Sequence, residues 1–167
     1  RLCPSLSRGR EFSPDKGSYM HSFGGDKTRY GMHSYLTSDS FVFEIGGYTG
    51  VDILAMQKLY GAFHTILFEP VFFEDARRNL KDVPNLEIHA YGLGSFSRTV
   101  FFDISGDATK PSTSATGKPV KIFEFNQVLK NLTIDKVDLL QINCEGCELR
   151  VLRRLTVILM TLILQVE

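Results

Sequence analysis

A glycine-rich turn and an acidic residue downstream of it are the features of this sequence best suited to chemistry. The turn GGYTG, residues 46–50, separates the apolar run FVFEI from residues that are apolar at helical spacing. Glycines in such a turn let the backbone approach a ligand, and the helix that follows offers its first N–H groups to an anion. Glu69 lies 19 residues after Gly50, where an acid can accept hydrogen bonds from the cis hydroxyls of a ribose. Turn and acid together predict a ligand that contains a nucleoside.

The spacing of the glycines narrows the class of nucleoside ligand. Neither the phosphate-binding pattern G-x-x-x-x-G-K-[ST] nor the dinucleotide pattern G-x-G-x-x-G is present. Glu44 lies two residues before Gly46, and a carboxylate is a poor neighbour for phosphate but a tolerable one for a sulfonium or ammonium cation. The pattern therefore favours S-adenosylmethionine over a nicotinamide dinucleotide. A turn that serves packing alone, and a Glu69 that only ends its strand, are the alternatives.

The elements that must position these residues follow from hydrophobic periodicity. Thr49 and Asp52 predict a capping box at the start of the first helix. Strands alternating with helices predict an α/β fold with a mostly parallel sheet and helices on both faces. Residues 1–40 are predicted to be an irregular arm before a domain at 41–167, and residues 105–119 a mobile surface loop. The predicted strands are 41–45, 64–70, 86–90, 99–104, 120–124, 137–143 and 162–167, and the predicted helices are 51–61, 72–81, 125–132 and 145–155.

Composition excludes several classes of protein. The chain has 167 residues, of which 19 are basic and 19 acidic, and 43% are hydrophobic. This is the composition of one soluble globular domain, and a net charge of zero argues against a nucleic-acid partner. The longest apolar run, residues 155–166, is shorter than the roughly 20 residues that cross a bilayer. Because the chain begins at Arg1, it is predicted to be part of a longer polypeptide.

Four blocks of the sequence resemble the successive motifs of the FkbM-type methyltransferases, a branch of the Rossmann-like enzymes that use S-adenosylmethionine. The resemblance covers residues 41–155, and within the family the sequence is similar to animal methyltransferase-like proteins. The four blocks are FVFEIGGYTG, ILFEP, NLEIHAYGLGS and DLLQINCEGCELRVLRRL. It implies a Rossmann-like methyltransferase fold, here truncated after the fifth strand. It also implies methyl transfer from S-adenosylmethionine to a hydroxyl oxygen, with a small molecule or a sugar as the acceptor.

The resemblance assigns cofactor-binding roles by position. The first residues of the helix near Val51 would meet the methionine carboxylate, whose charge suits a helix N-terminus. No metal ligand is assigned. The residues implied are Glu44, Gly46 and Gly50 around the methionine part, Glu69 on the ribose, and Gly92 with Leu93 beside the adenine.

The last block departs from the family at its centre. The family typically reads Asp-Leu-Leu-Lys-Ile-Asp-Val-Glu-Gly-Ala-Glu, and this chain has Asn143 in place of the second Asp. An amide cannot act as a base, so Glu145 is the remaining candidate for base work or substrate orientation. A solvated Glu145 in the first turn of a helix is the alternative. Asn143 also motivates a second hypothesis, a catalytically inactive module for binding or regulation.

Other reactive residues are weaker candidates. Cys144 and Cys147 form a C-x-x-C pair, for which simple packing is favoured over a metal or a disulfide. His33 could reach the site from the arm and act as a base. The triplet at 131–133, Asn-Leu-Thr, matches an N-glycosylation sequon that matters only in the secretory pathway. The sequence leaves the compartment open between that pathway and the cytoplasm, and it leaves the oligomeric state open.

Overall fold

The computed structural model describes residues 30–105, 108–114, 116–134, 136–144, 146–152 and 158–164. The chain divides into two compact units, residues 1–32 and 33–167. Residues 1–29 of the predicted arm lie outside the described part, whereas residues 33–40 are turns that belong to the second unit. All elements below are in the second unit.

A parallel five-stranded sheet forms the centre of this unit. Its strand order is β3-β2-β1-β8-β9, and each neighbouring pair is parallel. Parallel neighbours require crossover connections, which the helices supply. The strands are β1 Phe41–Ile45, β2 His64–Phe68, β3 Leu86–His89, β8 Lys136–Ile142 and β9 Ile158–Leu164, and the helices are α1 Val51–Tyr60, α2 Phe73–Asn79, α3 Phe125–Leu132 and α4 Glu148–Leu152.

The predicted α/β class is confirmed, because these strands and helices alternate along the chain. The central strands are buried on both faces: four of the five residues of β1 and of β2 are buried. One core cluster, on the side of α3, is built around Phe43, Phe68 and Leu140. Another joins Ile53 of α1 to Ala76 of α2 and Leu67. Burial of these apolar faces is what holds the strand ends in fixed positions.

A second sheet lies between β3 and α3 in the chain, and the sequence did not predict it. Its order is β4-β7-β5-β6, with β5 antiparallel to both of its neighbours. The predicted strand at 99–104 is confirmed within β5. The predicted mobile loop at 105–119 is wrong, since it contains β6 and the start of β7. The strands of this sheet are β4 Gly92–Gly94, β5 Arg98–Ser105, β6 Ala108–Pro111 and β7 Lys118–Glu124.

The polar composition of β6 explains the error. It reads Ala-Thr-Lys-Pro and pairs with β5 alone, so it lies at the edge of the second sheet. Edge strands are held by backbone hydrogen bonds and tolerate Lys and Pro, which hide them from a hydrophobic pattern.

The C-terminal part was predicted with the right order of elements but shifted boundaries. Strand β9 begins at Ile158, four residues before the predicted start, so the apolar residues assigned to a helix tail belong to the strand. Strand β9 pairs in parallel with β8, and strands of parallel sheets read as continuous apolar runs without the period-two signal that would mark their start. Residues 153–157 lie outside the described part. Among the described residues, no helix is long and apolar enough to cross a membrane.

Candidate functional site

The glycine turn between β1 and α1 is held by the ends of two neighbouring strands. The N–H of Gly46 donates to the carbonyl oxygen of Phe68 at 2.9 Å. Gly46 has a φ of +80°, and a Cβ built on it would collide with the backbone carbonyl of Asn143. Because only glycine tolerates both constraints, Gly46 lets the ends of β1, β2 and β8 meet at one point.

Gly50 ends the turn and begins α1. It has a φ of +82°, and a Cβ on it would collide with the side chain of Leu80. The predicted capping box of Thr49 and Asp52 is wrong, because Gly50 is the N-cap and no side-chain cap bond is formed within the described residues. The left-handed backbone at Gly50 turns the chain into the helix without a capping side chain. Among the described residues the first turn of α1 thus receives no side-chain cap bond, and helix N-termini of this kind can bind an anion.

Two buried carboxylates lie beneath the turn, and one of them was not predicted. Glu44 is 3% exposed, and a Cβ on Gly47 would lie 2.9 Å from its carboxyl carbon. Asp52, in the first turn of α1, is also buried. Gln141 Nε2 donates to Asp52 Oδ2 at 2.6 Å and to Glu44 Oε1 at 3.5 Å. Two acids that share one amide give this region a negative character suited to the cationic part of a ligand.

Glu69 joins the end of β2 to the glycine turn. Its Oε2 accepts the N–H of Tyr48 at 2.9 Å, and its Oε1 accepts those of Val71 at 2.8 Å and Phe72 at 2.9 Å. A carboxylate has about four lone-pair positions. Three are filled here, so Glu69 has room for one ribose hydroxyl where the sequence predicted two. Glu69 therefore shapes the turn through these bonds, and its contact with a ligand stays a prediction.

The titration of Glu69 reflects this position. Burial raises the pKa of its carboxyl above the ordinary value, against the opposing effect of the three backbone N–H bonds and of Lys118. The Lys118 ammonium, at the start of β7, donates to the carbonyl oxygen of Val71. The second sheet thus contributes a cation and a hydrogen bond to the segment that carries Glu69.

The end of β8 carries the remaining predicted residues. Asn143 donates its N–H to the Ile45 carbonyl at 2.8 Å, which fixes its backbone beside the turn. Glu145, the predicted base, lies outside the described residues. The described part of α4 begins at Glu148 rather than at residue 145. Position 143 is therefore at the predicted edge, whereas the role of Glu145 stays a prediction.

Cys144 and Cys147 form a disulfide, so the prediction that they only pack as small residues is wrong. Both side chains also pack against the core cluster around Phe43. The buried carboxylate of Glu148 accepts the N–H of Cys144 at 3.0 Å and that of Gly146 at 3.4 Å. These bonds hold the disulfide-bonded turn next to the glycine turn, where a Cβ on Gly46 would lie 3.2 Å from the Cα of Cys144.

Gly92 and Leu93 form part of β4, after the third strand of the parallel sheet. A Cβ on Gly92 would lie 2.7 Å from Ile122 Cδ1 and 3.6 Å from Pro70 Cγ, so Gly92 adjoins the segment after Glu69. Leu93 is 1% exposed, and its side chain belongs to the core. The adenine contact implied for these two residues stays a prediction, and for Leu93 it would involve the backbone.

His33 does not join the residues around the turn. Its backbone N–H donates to Tyr60 Oη at 3.2 Å, and its Nδ1 lies 3.1 Å from Tyr35 Oη. Tyr60 is the last residue of α1, which begins at the glycine turn and runs away from it. Burial lowers the pKa of His33. A neutral histidine held at the far end of α1 has a structural role.

The parallel sheet, with acids gathered around its glycine turn, is consistent with a methyltransferase-like α/β domain. Residues 44–166 match the family model described as Methyltransferase FkbM domain. The chain therefore belongs to the FkbM methyltransferase family, and the resemblance stated from the four blocks is confirmed. Comparison with curated proteins and with solved structures found no match.

Sequence reasoning missed Asp52, Gln141 and Glu148 as parts of this region. Asp52 had been assigned to a capping box, and Gln141 lies inside a strand whose apolar pattern gave no reason to single it out. A polar residue in an otherwise apolar buried strand is a usable signal, because a buried amide requires partners.

Proposed function

We propose that this domain is an S-adenosylmethionine-dependent methyltransferase with a Rossmann-like fold, and that it methylates a hydroxyl oxygen of a small molecule or a sugar. One observation carries the proposal: the Glu69 carboxylate is hydrogen-bonded to Tyr48 in the glycine turn, at the carboxyl edge of a parallel sheet. Ligands of open α/β sheets bind at this edge.

The residues present fit the chemical groups of S-adenosylmethionine. The uncapped first turn of α1 suits a carboxylate, since its N–H groups and the helix dipole favour negative charge. Glu44 and Asp52 supply negative charge for the ammonium and sulfonium. Glu69 retains one lone-pair position for a ribose hydroxyl, and Gly92 borders the adenine in this proposal.

When bound, S-adenosylmethionine would supply an electrophilic methyl group for an acceptor oxygen. The contribution of the chain is to hold the acceptor oxygen in line with that methyl and to exclude water. Glu145 would remove the hydroxyl proton. Asn143 cannot accept that proton but can orient the acceptor by hydrogen bonding.

Calorimetry with S-adenosylmethionine, S-adenosylhomocysteine and NAD tests the cofactor. We expect dissociation constants on the order of micromolar for the first two and no binding of NAD. Binding of NAD, or no binding of any of the three by a folded chain, would contradict the proposed cofactor.

Replacement of Glu69 by Gln tests the site. We expect S-adenosylmethionine to bind the Glu69→Gln chain at least about tenfold more weakly, because a charged acceptor of hydrogen bonds is lost. Glu74→Gln is the matched control, since Glu74 is exposed and pairs with Arg77 on the surface of α2. Because Glu69 also holds the turn, thermal unfolding of both variants must be recorded. Unchanged affinity in a folded Glu69→Gln chain would refute the role of Glu69.

The pH dependence of binding supplies a second test of Glu69. The raised pKa means that the carboxylate takes up its proton at a higher pH than an exposed glutamate does. A protonated carboxyl accepts fewer hydrogen bonds, so affinity should fall as the pH drops through this raised pKa. The Glu69→Gln chain should lose that part of the pH dependence.

A catalytically inactive module is the second candidate function, and Asn143 in place of the family's Asp favours it. Asn143→Asp should create or raise methyl transfer to a panel of sugar and small-molecule hydroxyls if the missing carboxylate limits the domain. Equal turnover by the two forms would show that residue 143 does not limit the reaction. Cofactor binding without turnover in either form would support the inactive module.

A further inference from the structure

The sequon Asn131-Leu132-Thr133 lies on an exposed part of the domain. Asn131 is in the last turn of α3, and both Asn131 and Thr133 are exposed. The buried apolar side chains Phe125 and Leu129 point to another side of the helix than Asn131 does. A glycan on Asn131 would therefore extend into solvent without displacing core residues.

The backbone at the sequon leaves the helix. Thr133 is the C-cap, with a left-handed conformation of φ 56° and ψ 41°, and its N–H donates to the carbonyls of Leu129 and Lys130. Gln127 Nε2 donates to Asn131 Oδ1 at 3.0 Å, which leaves the Nδ2 of Asn131 without a hydrogen bond among the described residues. The side-chain nitrogen that would carry a glycan thus belongs to an exposed residue, and the exposed Thr133 follows two positions later at the end of the helix.

The disulfide is an independent observation that points to the same environment. Cys144 and Cys147 are bonded, and disulfides persist in secretory and extracellular compartments but are rare in the cytosol. Asn-linked glycans are added in the secretory pathway. A disulfide and an exposed sequon in one domain are each expected of a chain that enters this pathway.

We propose that Asn131 carries an N-linked oligosaccharide and that the domain acts in an oxidising secretory compartment. The donor is an oligosaccharide joined to a polyisoprenoid diphosphate. A bond forms between Asn131 Nδ2 and C1 of the first sugar, the bond from C1 to the phosphate oxygen breaks, and Nδ2 loses a proton while the lipid diphosphate leaves. Thr133 supplies the hydroxyl that the glycan transferase requires at the third position of the sequon.

The position of the sequon keeps the glycan away from the candidate site. Strand β8 begins at Lys136, three residues after Thr133, so the sequon lies near the amino end of β8. The glycine turn meets the opposite end, at Asn143. The proposal thus stands apart from the proposed methyltransferase function, and failure of either leaves the other untouched.

The experiment examines the chain directed into the secretory pathway of cultured eukaryotic cells and the native polypeptide isolated from its source cells. We expect a larger mass that peptide N-glycosidase removes, with Asn131 converted to Asp in the released peptide. Asn131→Gln and Thr133→Ala should abolish the glycan, Thr133→Ser should retain it, and Asn126→Gln in the same helix is the matched control.

A glycan on Asn131 of the native polypeptide, with Cys144 and Cys147 resistant to thiol alkylation, supports the proposal. An unmodified Asn131 in the native polypeptide overturns the proposal, even where the recombinant chain is glycosylated. A glycan that persists in the Asn131→Gln and Thr133→Ala variants also overturns it. Affinity for S-adenosylmethionine should be unchanged in Asn131→Gln.

Discussion

At the scale of single residues, side chains predicted to contact a ligand also hold the chain together. Glu69 accepts three backbone N–H groups, one of them from the glycine turn. Gly46 lets the turn pass the backbone of Asn143. The backbone geometry explains why these positions carry Glu and Gly even before a ligand is considered. Substitutions must therefore separate effects on stability from effects on ligand binding.

Gly46→Ala and Gly61→Ala form a matched pair for this purpose. Both glycines have positive φ, but a Cβ on Gly61 meets no atom within 4 Å, whereas one on Gly46 collides with Asn143. Gly61→Ala should cost about 1–3 kcal/mol in the free energy of unfolding from backbone strain alone. Gly46→Ala should cost at least about 1 kcal/mol more and should weaken cofactor binding.

Denaturant unfolding and calorimetry of the two variants check this prediction. Equal destabilisation of the two variants, with cofactor affinity unchanged in both, would contradict the prediction. It would show that the close approach of Gly46 to the end of β8 affects neither stability nor binding.

At the scale of elements, the connection from β8 to α4 combines a disulfide with a buried carboxylate. The disulfide closes a loop of only four residues, and Glu148 binds two backbone N–H groups within it. The glycine turn packs against the same segment. The stiffness of this connection therefore contributes to the shape of the candidate site.

Reduction of the disulfide should destabilise the domain modestly. Loop-closure entropy for four residues amounts to about 2 kcal/mol, a small value because the loop is short. The free energy of unfolding should be compared with and without a dithiol reductant in a Cys3→Ser background. The Cys144→Ser, Cys147→Ser double variant should be insensitive to the reductant, and an equal response of this variant would show that the disulfide is not the cause.

At the scale of the whole molecule, the second sheet supports the region of Glu69. Val71 forms a buried cluster with Val120 and Ile122 of β7, and Lys118 of the same strand bonds the Val71 carbonyl. The segment that begins β4, at Gly92, packs against Ile122. The two sheets are thus joined next to Glu69, the residue that is predicted to bind the ribose.

Ile122→Ala should therefore affect both stability and binding. We expect a loss of about 2–4 kcal/mol in the free energy of unfolding, in a single transition, and weaker cofactor binding. Ile104→Ala is the matched control, because Ile104 lies in the second sheet but is 47% exposed, and it should change stability by less than about 0.5 kcal/mol. Separate unfolding transitions for the two sheets would contradict the inference that they unfold as one unit.

The sequence by itself determined the parallel strands, three of the helices and the gathering of Glu44, Gly46, Gly50 and Glu69. These depend on local patterns: buried apolar runs, helical spacing and glycines at a strand end. Because the carboxyl ends of parallel strands share one edge, a correct order of elements is sufficient to place such residues together.

Only the tertiary structure decided the second sheet, the bridge of Gln141 to two carboxylates, and the disulfide. An edge strand such as β6 is defined by its partner and has no apolar pattern of its own. The Glu44 and Gln141 partnership joins residues 97 positions apart, and C-x-x-C spacing is equally compatible with free thiols, a metal or a bond. The second sheet and the Gln141 bridge depend on contacts across the fold, and the state of the two cysteines depends on their surroundings, so local sequence does not encode these features.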